Sequence, residues 1–141
     1  MPEAIITVSD VVDPEIERMI SDGLDEYNLA AAGIQDRLPL CVSVSDPQTG
    51  QILGGATGRT SLGLLFLDMF YMAPDQRATG LGTRVLEAFE AEGRRRGCRA
   101  AVLYTISFQA PEFYAKRGWR AFGEVASDSP AVSRIFMSKA L

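Results

Sequence analysis

The length, composition and charge of the chain exclude several classes of protein. Its 141 residues suit a single domain, which we expect to span residues 1–141, and 47% hydrophobic with 23% charged residues is typical of a soluble globular fold. Because the chain has no histidine, it cannot form a Ser-His or Cys-His nucleophile pair or a histidine zinc site. A net charge of −4 and a pI of about 4.8 argue against a nucleic-acid partner.

The sequence shows no signal for secretion or membrane insertion. Its first ten residues, MPEAIITVSD, lack a basic start and a long apolar run, and no apolar stretch reaches the length of a membrane span. Cys41 and Cys98 lie far apart and have no metal-ligand spacing, which predicts two free thiols in a reducing compartment. We therefore expect a cytoplasmic protein with no membrane partner and no metal.

The charge is divided unevenly between the two halves of the chain. Residues 1–70 carry three basic and eleven acidic side chains, for a charge of −8, whereas residues 71–141 carry eleven basic and seven acidic ones, for +4. The first half is expected to attract a cation and the second an anion, although a chance distribution over solvated faces gives the same pattern.

The first half of the chain predicts a strand, a helix and three more strands. The β-branched run Ala4–Val8 has the composition of a strand. Asp13 and Pro14 are an N-cap signal, and apolar residues recur at helical spacing from Ile16 to Tyr27. This helix is expected to reach Ala31 or Ala32 and to end at Gly33. The further strands are predicted at Leu40–Val44, Gln51–Thr60 and Leu62–Ala73, with a turn at Asp46–Gly50 and with Asp68 as the one charge in the last strand.

The second half alternates helices and strands. A helical stripe of Leu81, Val85, Leu86 and Phe89 predicts a helix over Gly80–Arg96, and Gly97 ends it. The order strand, helix, three strands, helix, strand, helix, two strands predicts a mixed α/β sheet of seven strands with helices on both faces. The remaining elements are a strand at Ala100–Thr105, a short helix at Ala110–Arg117, and strands at Trp119–Val125 and Arg134–Lys139.

A glycine-rich turn, MAPDQRATGLG (residues 72–82), lies between the long buried strand and the helix that follows it. The first amide groups of a helix lack acceptors and point towards the positive end of its dipole, so a helix start can bind an anion. Glycines bring the bare backbone close to a phosphate, and Arg77 adds a positive charge. Neither a P-loop nor a G-x-G-x-x-G fingerprint is present. A turn that only permits close helix–strand packing is the alternative.

A second segment follows about thirty residues later, FQAPEFYAKRGW (Phe108–Trp119). Together the two segments resemble the motifs of the GNAT acetyltransferases, in which Arg/Gln-x-x-Gly-x-Gly/Ala binds acetyl-CoA. The resemblance covers nearly the whole chain and is most specific over residues 66–124. It implies a mostly antiparallel GNAT sheet that is splayed between its two central strands. The string TISFQAPEFY is also similar to that of a bacterial subgroup of the family.

The resemblance implies an acetyl-CoA site along the splayed strand and the turn. The pantetheine arm is expected to pair with the backbone of Phe70, Tyr71 and Met72, as an added strand would. The pyrophosphate is expected to bind a group of consecutive residues in the turn: Arg77, Ala78, Thr79, Gly80, Leu81, Gly82 and Thr83.

The second motif implies the catalytic acid. Tyr114 matches the tyrosine that protonates the leaving thiolate in many family members, and a packed aromatic side chain is the alternative. Ser107 stands where many members have an asparagine that holds the pantetheine arm. A serine hydroxyl is shorter and offers fewer hydrogen bonds, so Gln109 is the alternative residue for this contact. Lys116 and Arg117 are expected either to meet the phosphates or to be solvated charges.

The acceptor amine needs a base, because an alkylammonium with a pKa of about 10.4 must lose a proton before it can attack. Some family members use a glutamate at the position of Phe66, and Asp68 shares that face of the strand. Asp68 is therefore the candidate base, with an exposed charge at a bulge or an arginine partner as its alternative roles. Glu26 and Asp36 are weaker candidates for binding the acceptor.

The sequence thus predicts an acetyl-CoA-dependent N-acetyltransferase that acts on a primary amine by direct attack on the thioester. Acetyl-CoA is a cosubstrate, and the acidic first half favours a small cationic acceptor. Two alternatives remain open: an acyl-CoA-binding regulatory module without turnover, and an acetyltransferase acting on protein amines. A homodimer formed through edge strands is an expectation that the resemblance implies.

Overall fold

The computed structural model describes residues 2–128 and 132–141. The residues group into two compact units, one that runs to Gln35 and one from Asp36 to Leu141. Each unit is described by itself.

The first unit contains helix α1 (Pro14–Ala32), which begins and ends where the sequence predicts. The Asp13 carboxylate accepts the N–H of Glu15 at 2.8 Å, and Pro14 occupies the first turn, where no amide hydrogen is needed. Gly33 ends the helix in the left-handed conformation, with φ of 72°, and donates its N–H to the carbonyl of Leu29.

The second unit is a six-stranded mixed sheet with two helices. The spatial order of the strands is β1-β2-β3-β4-β6-β5, and every neighbouring pair is antiparallel except β3 and β4, which are parallel. The elements are β1 (Leu38–Ser45), β2 (Ile52–Ser61), β3 (Leu64–Met72), a 3₁₀ turn (Pro74–Gln76), α2 (Leu81–Arg95), β4 (Ala100–Ile106), α3 (Pro111–Ala115), β5 (Arg120–Ala126) and β6 (Ser133–Ala140).

The prediction of seven strands is wrong, because Ala4–Val8 forms no strand. β-branched residues favour an extended backbone, but a strand also needs a neighbour that accepts its hydrogen bonds. No pairing ladder includes residues 2–10 of the described chain. The third predicted strand also starts late, since Leu62 and Gly63 form a two-residue turn with φ of 49° and 84°. Such turns usually carry Asn-Gly or Asp-Gly, so Leu-Gly gave little signal.

The core lies between α2 and the sheet; α2 packs mainly on β1, β2 and β3, and buried residues of β4 and β6 extend the core. Phe89, Leu65 and Leu86 are its largest fully buried side chains. Gly58 on β2 allows this close packing, since a Cβ there would lie 2.8 Å from the Phe89 ring and even closer to the Phe66 carbonyl oxygen. The buried stripe predicted for this helix therefore fixes α2 against the sheet and fixes the position of its N-terminus.

Candidate active site

The two central strands part halfway along their length. The parallel ladder between β3 and β4 joins only Leu64–Leu67 to Ala100–Leu103. Beyond it, β3 continues to Met72 paired with β2, and β4 continues to Ile106 paired with β6. The edges of β3 and β4 that face each other are therefore unpaired beyond Leu67 and Leu103. The expected splay between the central strands is present at this point.

One cleft, here called the turn cleft, lies between the end of β3, the glycine-rich turn and α3. Its volume is about 780 Å³. It is lined by Phe70, Tyr71, Met72, Gln76, Arg77, Ala78, Gly80, Gly82, Thr83, Thr105, Phe108, Gln109, Ala110, Phe113, Tyr114 and Arg117.

A second cleft, here called the sheet cleft, lies over β1–β4 and has a volume of about 620 Å³. Its lining shares Phe70, Tyr71, Thr105, Gln109 and Tyr114 with the turn cleft, so the two clefts meet where the strands part. The remaining lining residues are Cys41, Val42, Ser43, Ile52, Gly54, Gly55, Ala56, Thr57, Leu67, Asp68, Met69, Leu103, Tyr104 and Ile106.

The turn places bare backbone at the start of α2. Gly80 is the N-cap residue, has φ of 85° and provides no side-chain cap, and Ala78 also has a positive φ, of 60°. The Thr79 hydroxyl stays within the turn, where it donates to the carbonyl of Gln76 at 2.7 Å. The first N–H groups of α2 have no acceptor within the helix, and Gly82 and Thr83 both line the turn cleft.

Gly82 separates the two explanations offered for this turn. Its φ is not in the left-handed region, and the atoms nearest to a Cβ there belong to the rings of Phe113 and Phe70, at 3.6–3.7 Å, which is ordinary contact. Packing within the chain therefore does not require a glycine at this position. A Cβ on Gly82 would extend into the turn cleft, so the missing side chain leaves room for a ligand. This fits a phosphate group better than the packing-only alternative.

Two arginines flank the turn. Arg77 donates from Nε to the Met72 carbonyl at 2.9 Å, and its guanidinium lies 5.5 Å from the centre of the Tyr71 ring. Arg117 donates from Nε to the Thr83 hydroxyl at 2.8 Å and lines the turn cleft. Lys116 is exposed and lies outside this lining. Of the two basic residues in the second motif, Arg117 is the one that lies at the turn.

Tyr114 lies at the junction of the two clefts and is 7% exposed. Its ring packs edge-on against Phe70, Phe113 and Trp119, with centroid distances of 5.2–6.2 Å. Burial raises the pKa of the Tyr114 phenol to about 12, so the side chain keeps its proton throughout the physiological range.

Asp68 lies at a bulge in β3. Thr57 pairs with Met69 and Gly58 with Leu67, so Asp68 has no residue opposite it in the ladder. Its carboxylate forms a salt bridge with Arg59 at 3.1 Å, and the Arg59 guanidinium lies 4.4 Å from the centre of the Phe66 ring. Asp68 therefore lies at a bulge and has an arginine partner, which are the two alternatives to a role as base, and it also lines the sheet cleft.

The other predicted residues lie at varied distances from the junction. The Ser107 hydroxyl accepts the N–H of Ser133 at 3.1 Å, which joins β4 to β6, and Ser107 lines neither cleft. Gln109 lines both clefts and accepts the N–H of Ile106 at 3.3 Å. Asp36 accepts the N–H of Leu62 at 2.9 Å, at the hairpin turn. Glu26 lies on α1 in the first unit.

Several lining residues carried no signal in the sequence. Thr57 and Cys41 face each other across β1 and β2, which is a matter of hairpin register that the sequence did not reveal. The Thr57 hydroxyl is buried and has no hydrogen-bond partner among residues 2–128 and 132–141. Phe108 and Tyr104 are exposed and also line a cleft. Alternation along β4 could have placed Tyr104 on the face opposite the buried Leu103.

Comparison with known proteins places this geometry in a family. The model of the acetyltransferase (GNAT) family matches residues 11–119. The chain belongs to the GNAT acetyltransferase family. An acetyltransferase of Agrobacterium fabrum is 30% identical over 132 residues, which are 94% of this chain and 96% of that protein. Blasticidin-S acetyltransferase of Streptomyces morookaense is 30% identical over 95 residues, which are 67% of this chain and 70% of that protein.

Solved structures of acetyltransferases are similar in fold. The crystal structure of an acetyltransferase from Bacillus cereus has a TM-score of 0.78 and 28% identity, and the match covers 96% of this chain and 98% of that one. A Bacillus anthracis structure with 16% identity and a TM-score of 0.59 is similar in fold and was solved with acetyl coenzyme A; the match covers 66% of this chain and 58% of that one.

Two features are absent from the described part of the GNAT chain. Across residues 2–128 and 132–141, no three His, Cys, Asp or Glu side chains are grouped so that they could hold a metal ion. No helix in that part of the chain combines the length and the apolar character needed to cross a membrane.

Proposed function

We propose that the chain is an acetyl-CoA-dependent N-acetyltransferase that acetylates the primary amine of a small cationic molecule by direct attack on the thioester. The observation that carries the proposal is the parting of β3 and β4 beyond Leu67 and Leu103, where the two clefts meet and Tyr114 lines both. Each cleft then takes one substrate, and the reacting atoms meet at the junction.

The turn cleft is the proposed acetyl-CoA site. The amides of Gly82 and Thr83 face a diphosphate at the positive end of α2, and Arg77 and Arg117 add charge on either side. The positive second half of the chain agrees with an anionic ligand here. The edge of β3 at Phe70–Met72 is not paired with β4 and offers backbone groups to the pantetheine arm, and the Met72 carbonyl there also accepts from Arg77 at 2.9 Å.

The sheet cleft is the proposed acceptor site. It is lined by Asp68, Thr57 and the exposed rings of Tyr71 and Tyr104, whose hydroxyl groups can form hydrogen bonds. These groups suit a small molecule with one cationic and one hydrogen-bonding end. The printed name of the Streptomyces relative, blasticidin-S acetyltransferase, points to a small-molecule acceptor for that protein and supports the same class here.

The acceptor must be deprotonated before it reacts. At pH 7 the neutral form of an ordinary alkylamine costs about 4.6 kcal/mol, from a pKa of about 10.4. Asp68 is the proposed proton acceptor, directly or through water, but its carboxylate is held by Arg59 at 3.1 Å. We propose that the substrate ammonium replaces Arg59 on Asp68, which brings the amine to the junction and provides an acceptor for its proton.

Tyr114 is the proposed proton donor to sulfur. With its pKa raised to about 12, it is a weaker acid than a thiol of pKa about 8.5, so complete transfer to a free thiolate is uphill by about 4.8 kcal/mol. The donation is therefore coupled: as nitrogen bonds to the carbonyl carbon and the C–S bond breaks, Tyr114 passes its proton to sulfur and recovers one from the positively charged nitrogen. No free tyrosinate forms, and no acyl-enzyme is needed.

A thiol-release assay with acetyl-CoA and a panel of small amines tests the proposal. We expect CoA release that depends on the amine, with cationic aminonucleosides, amino sugars and polyamines compared in parallel with lysine-containing peptides. Release with peptides alone would favour a protein acceptor. Tight acetyl-CoA binding with no release from any amine would favour a regulatory module, and absence of binding at millimolar acetyl-CoA would overturn the proposal.

A further inference from the structure

A buried carboxylate on α2 lies outside the lining of both clefts. Glu90 on α2 is 3% exposed. Its Oε1 accepts from the Lys139 ammonium at 2.6 Å, and its Oε2 accepts from the Trp119 indole N–H at 3.2 Å. Arg94 is a second, more distant cation, at 3.7 Å and 49% exposed. A carboxylate in this position is stable only because these donors satisfy it.

Lys139 extends this cluster towards α3. The same ammonium donates to the carbonyl of Arg117 at 2.8 Å, just beyond the end of α3. Carbonyls at a helix end lack partners within the helix, so this bond satisfies one of them. Lys139 lies on β6 and its side chain is 22% exposed. Because β6 is a strand of the sheet, the hydrogen bond from Lys139 holds the backbone at Arg117 in a fixed position.

Arg117 completes the connection to the turn. Its Nη1 donates to the Phe113 carbonyl at 2.8 Å, and its guanidinium stacks on the Phe113 ring, 4.0 Å from the ring centre. Its Nε donates to the Thr83 hydroxyl at 2.8 Å. An unbroken series of contacts therefore runs from Glu90 through Lys139 and the Arg117 backbone to the guanidinium in the turn cleft.

We propose that Lys139, held by Glu90, is a positioning residue that keeps the Arg117 guanidinium in place for the diphosphate of acetyl-CoA. Lys139 lines neither cleft and acts through Arg117 alone. A buried ion pair is a weak source of stability compared with apolar side chains of similar size, so a role in placing Arg117 explains its location better than a role in the core. The inference rests on the proposed function, because it needs a diphosphate in the turn cleft.

Binding and kinetics with matched variants test it. Lys139→Met is made alone and together with Glu90→Gln, which removes the carboxylate that would otherwise be left buried without its cation. For both variants we expect the acetyl-CoA KM and the CoA Kd to rise about tenfold, with kcat at saturation within about threefold of wild type. The kcat/KM for acetyl-pantetheine, which lacks the diphosphate, is expected to change by less than about twofold.

Arg94→Met is the control, because it removes the other cation near Glu90 without touching Arg117, and we expect wild-type constants. The double variant Arg117→Met with Lys139→Met is expected to bind CoA no more weakly than Arg117→Met alone, since both act through one group. Additive losses of CoA affinity in the double variant would show that Lys139 has only a structural role. Equal losses of kcat/KM with acetyl-CoA and acetyl-pantetheine would show the same. A wild-type protein that binds no acetyl-CoA would instead overturn the proposed function itself.

Discussion

Leu67 and Leu103 form the last pair of the parallel ladder between β3 and β4, and the site begins where that ladder ends. Backbone groups that would pair in a continuous sheet face an opening instead. Buried backbone polar groups need partners, so a parted sheet is costly unless water or a ligand supplies them. This relationship makes the central opening, rather than a surface loop, the place where two substrates can meet.

Gly82→Ala is expected to weaken CoA binding without lowering the stability of the fold. A Cβ at this position makes only ordinary contacts within the chain, and alanine favours a helix, so the melting temperature should stay equal or rise. The same methyl group narrows the turn cleft, and we expect CoA to bind at least about tenfold more weakly. Calorimetric titration and thermal melting measure the two effects.

Gly80→Ala is the matched control for Gly82→Ala. Its Cβ meets nothing within 4 Å, but the residue has φ of 85°, so the substitution should lower stability by about 1 kcal/mol through backbone strain. If Gly82→Ala bound CoA as well as wild type did, the bare backbone at this position would have no role in binding.

Tyr114→Phe should lower kcat by about 10² while the acetyl-CoA KM changes little, since the ring packing is kept and only the proton donor is lost. Because burial raises the pKa of Tyr114 to about 12, the wild-type rate should show no descending limb from this group between pH 6 and 10. A steady-state pH profile of both proteins measures this. An unchanged kcat in the variant would assign the acid to another group.

Asp68 and Arg59 should respond in opposite directions. Asp68→Asn removes the proposed proton acceptor, so kcat/KM for the amine at pH 7 is expected to fall about tenfold. Arg59→Met frees the carboxylate for the substrate ammonium, so the KM for a cationic amine should fall. The pair is 42% and 50% exposed, and such pairs contribute at most about 1 kcal/mol, so both variants should fold. Similar losses of kcat/KM for the amine in both variants would show that the pair has only a structural role.

Glu92 gives the fold a pH dependence at the acid end. Hydrogen bonds from Arg95 and Arg96 lower the pKa of Glu92 from 4.5 to about 2. The stability it contributes is therefore present above pH 4.5 and is lost as the pH falls towards 2. Glu92→Gln should lower the melting temperature at pH 7, and the melting temperature of the variant should fall less between pH 5 and 2. Melting curves that keep the wild-type pH dependence in Glu92→Gln would contradict this role.

Arg96 also donates to the carbonyls of Leu38 and Pro39, so Arg96→Met should cost more stability at pH 7 than Arg95→Met.

Local chemistry made much of the fold predictable. The Asp13 cap, the Gly33 end and the apolar stripe of α2 fixed the helices within one or two residues, and the β-branched and apolar runs located β1 to β6. The error at Ala4–Val8 has a physical cause, since strand formation depends on a partner that a composition pattern does not reveal. The turn at Leu62 was also not predicted, because no sequence pattern there indicates its positive φ.

Candidate-site residues that belong to a contiguous motif were predictable from the sequence. Those that strand register and tertiary contacts bring together were not. The glycine-rich turn and Tyr114 were named from contiguous strings, and both lie in the turn cleft. The bulge that exposes Asp68, the pairing of Cys41 with Thr57 and the contact of Arg117 with Thr83 all join residues distant in sequence. No local pattern encodes those contacts, so the acceptor side required the structure.

Hydrogen–deuterium exchange with and without acetyl-CoA tests the central claim most directly. Acetyl-CoA held in the opening should protect the amides of residues 69–72 at the end of β3 and 80–83 at the start of α2 from exchange, and should leave β5, at the far edge of the sheet, unchanged. Saturating acetyl-CoA that leaves both segments exchanging as in the free protein would contradict the account.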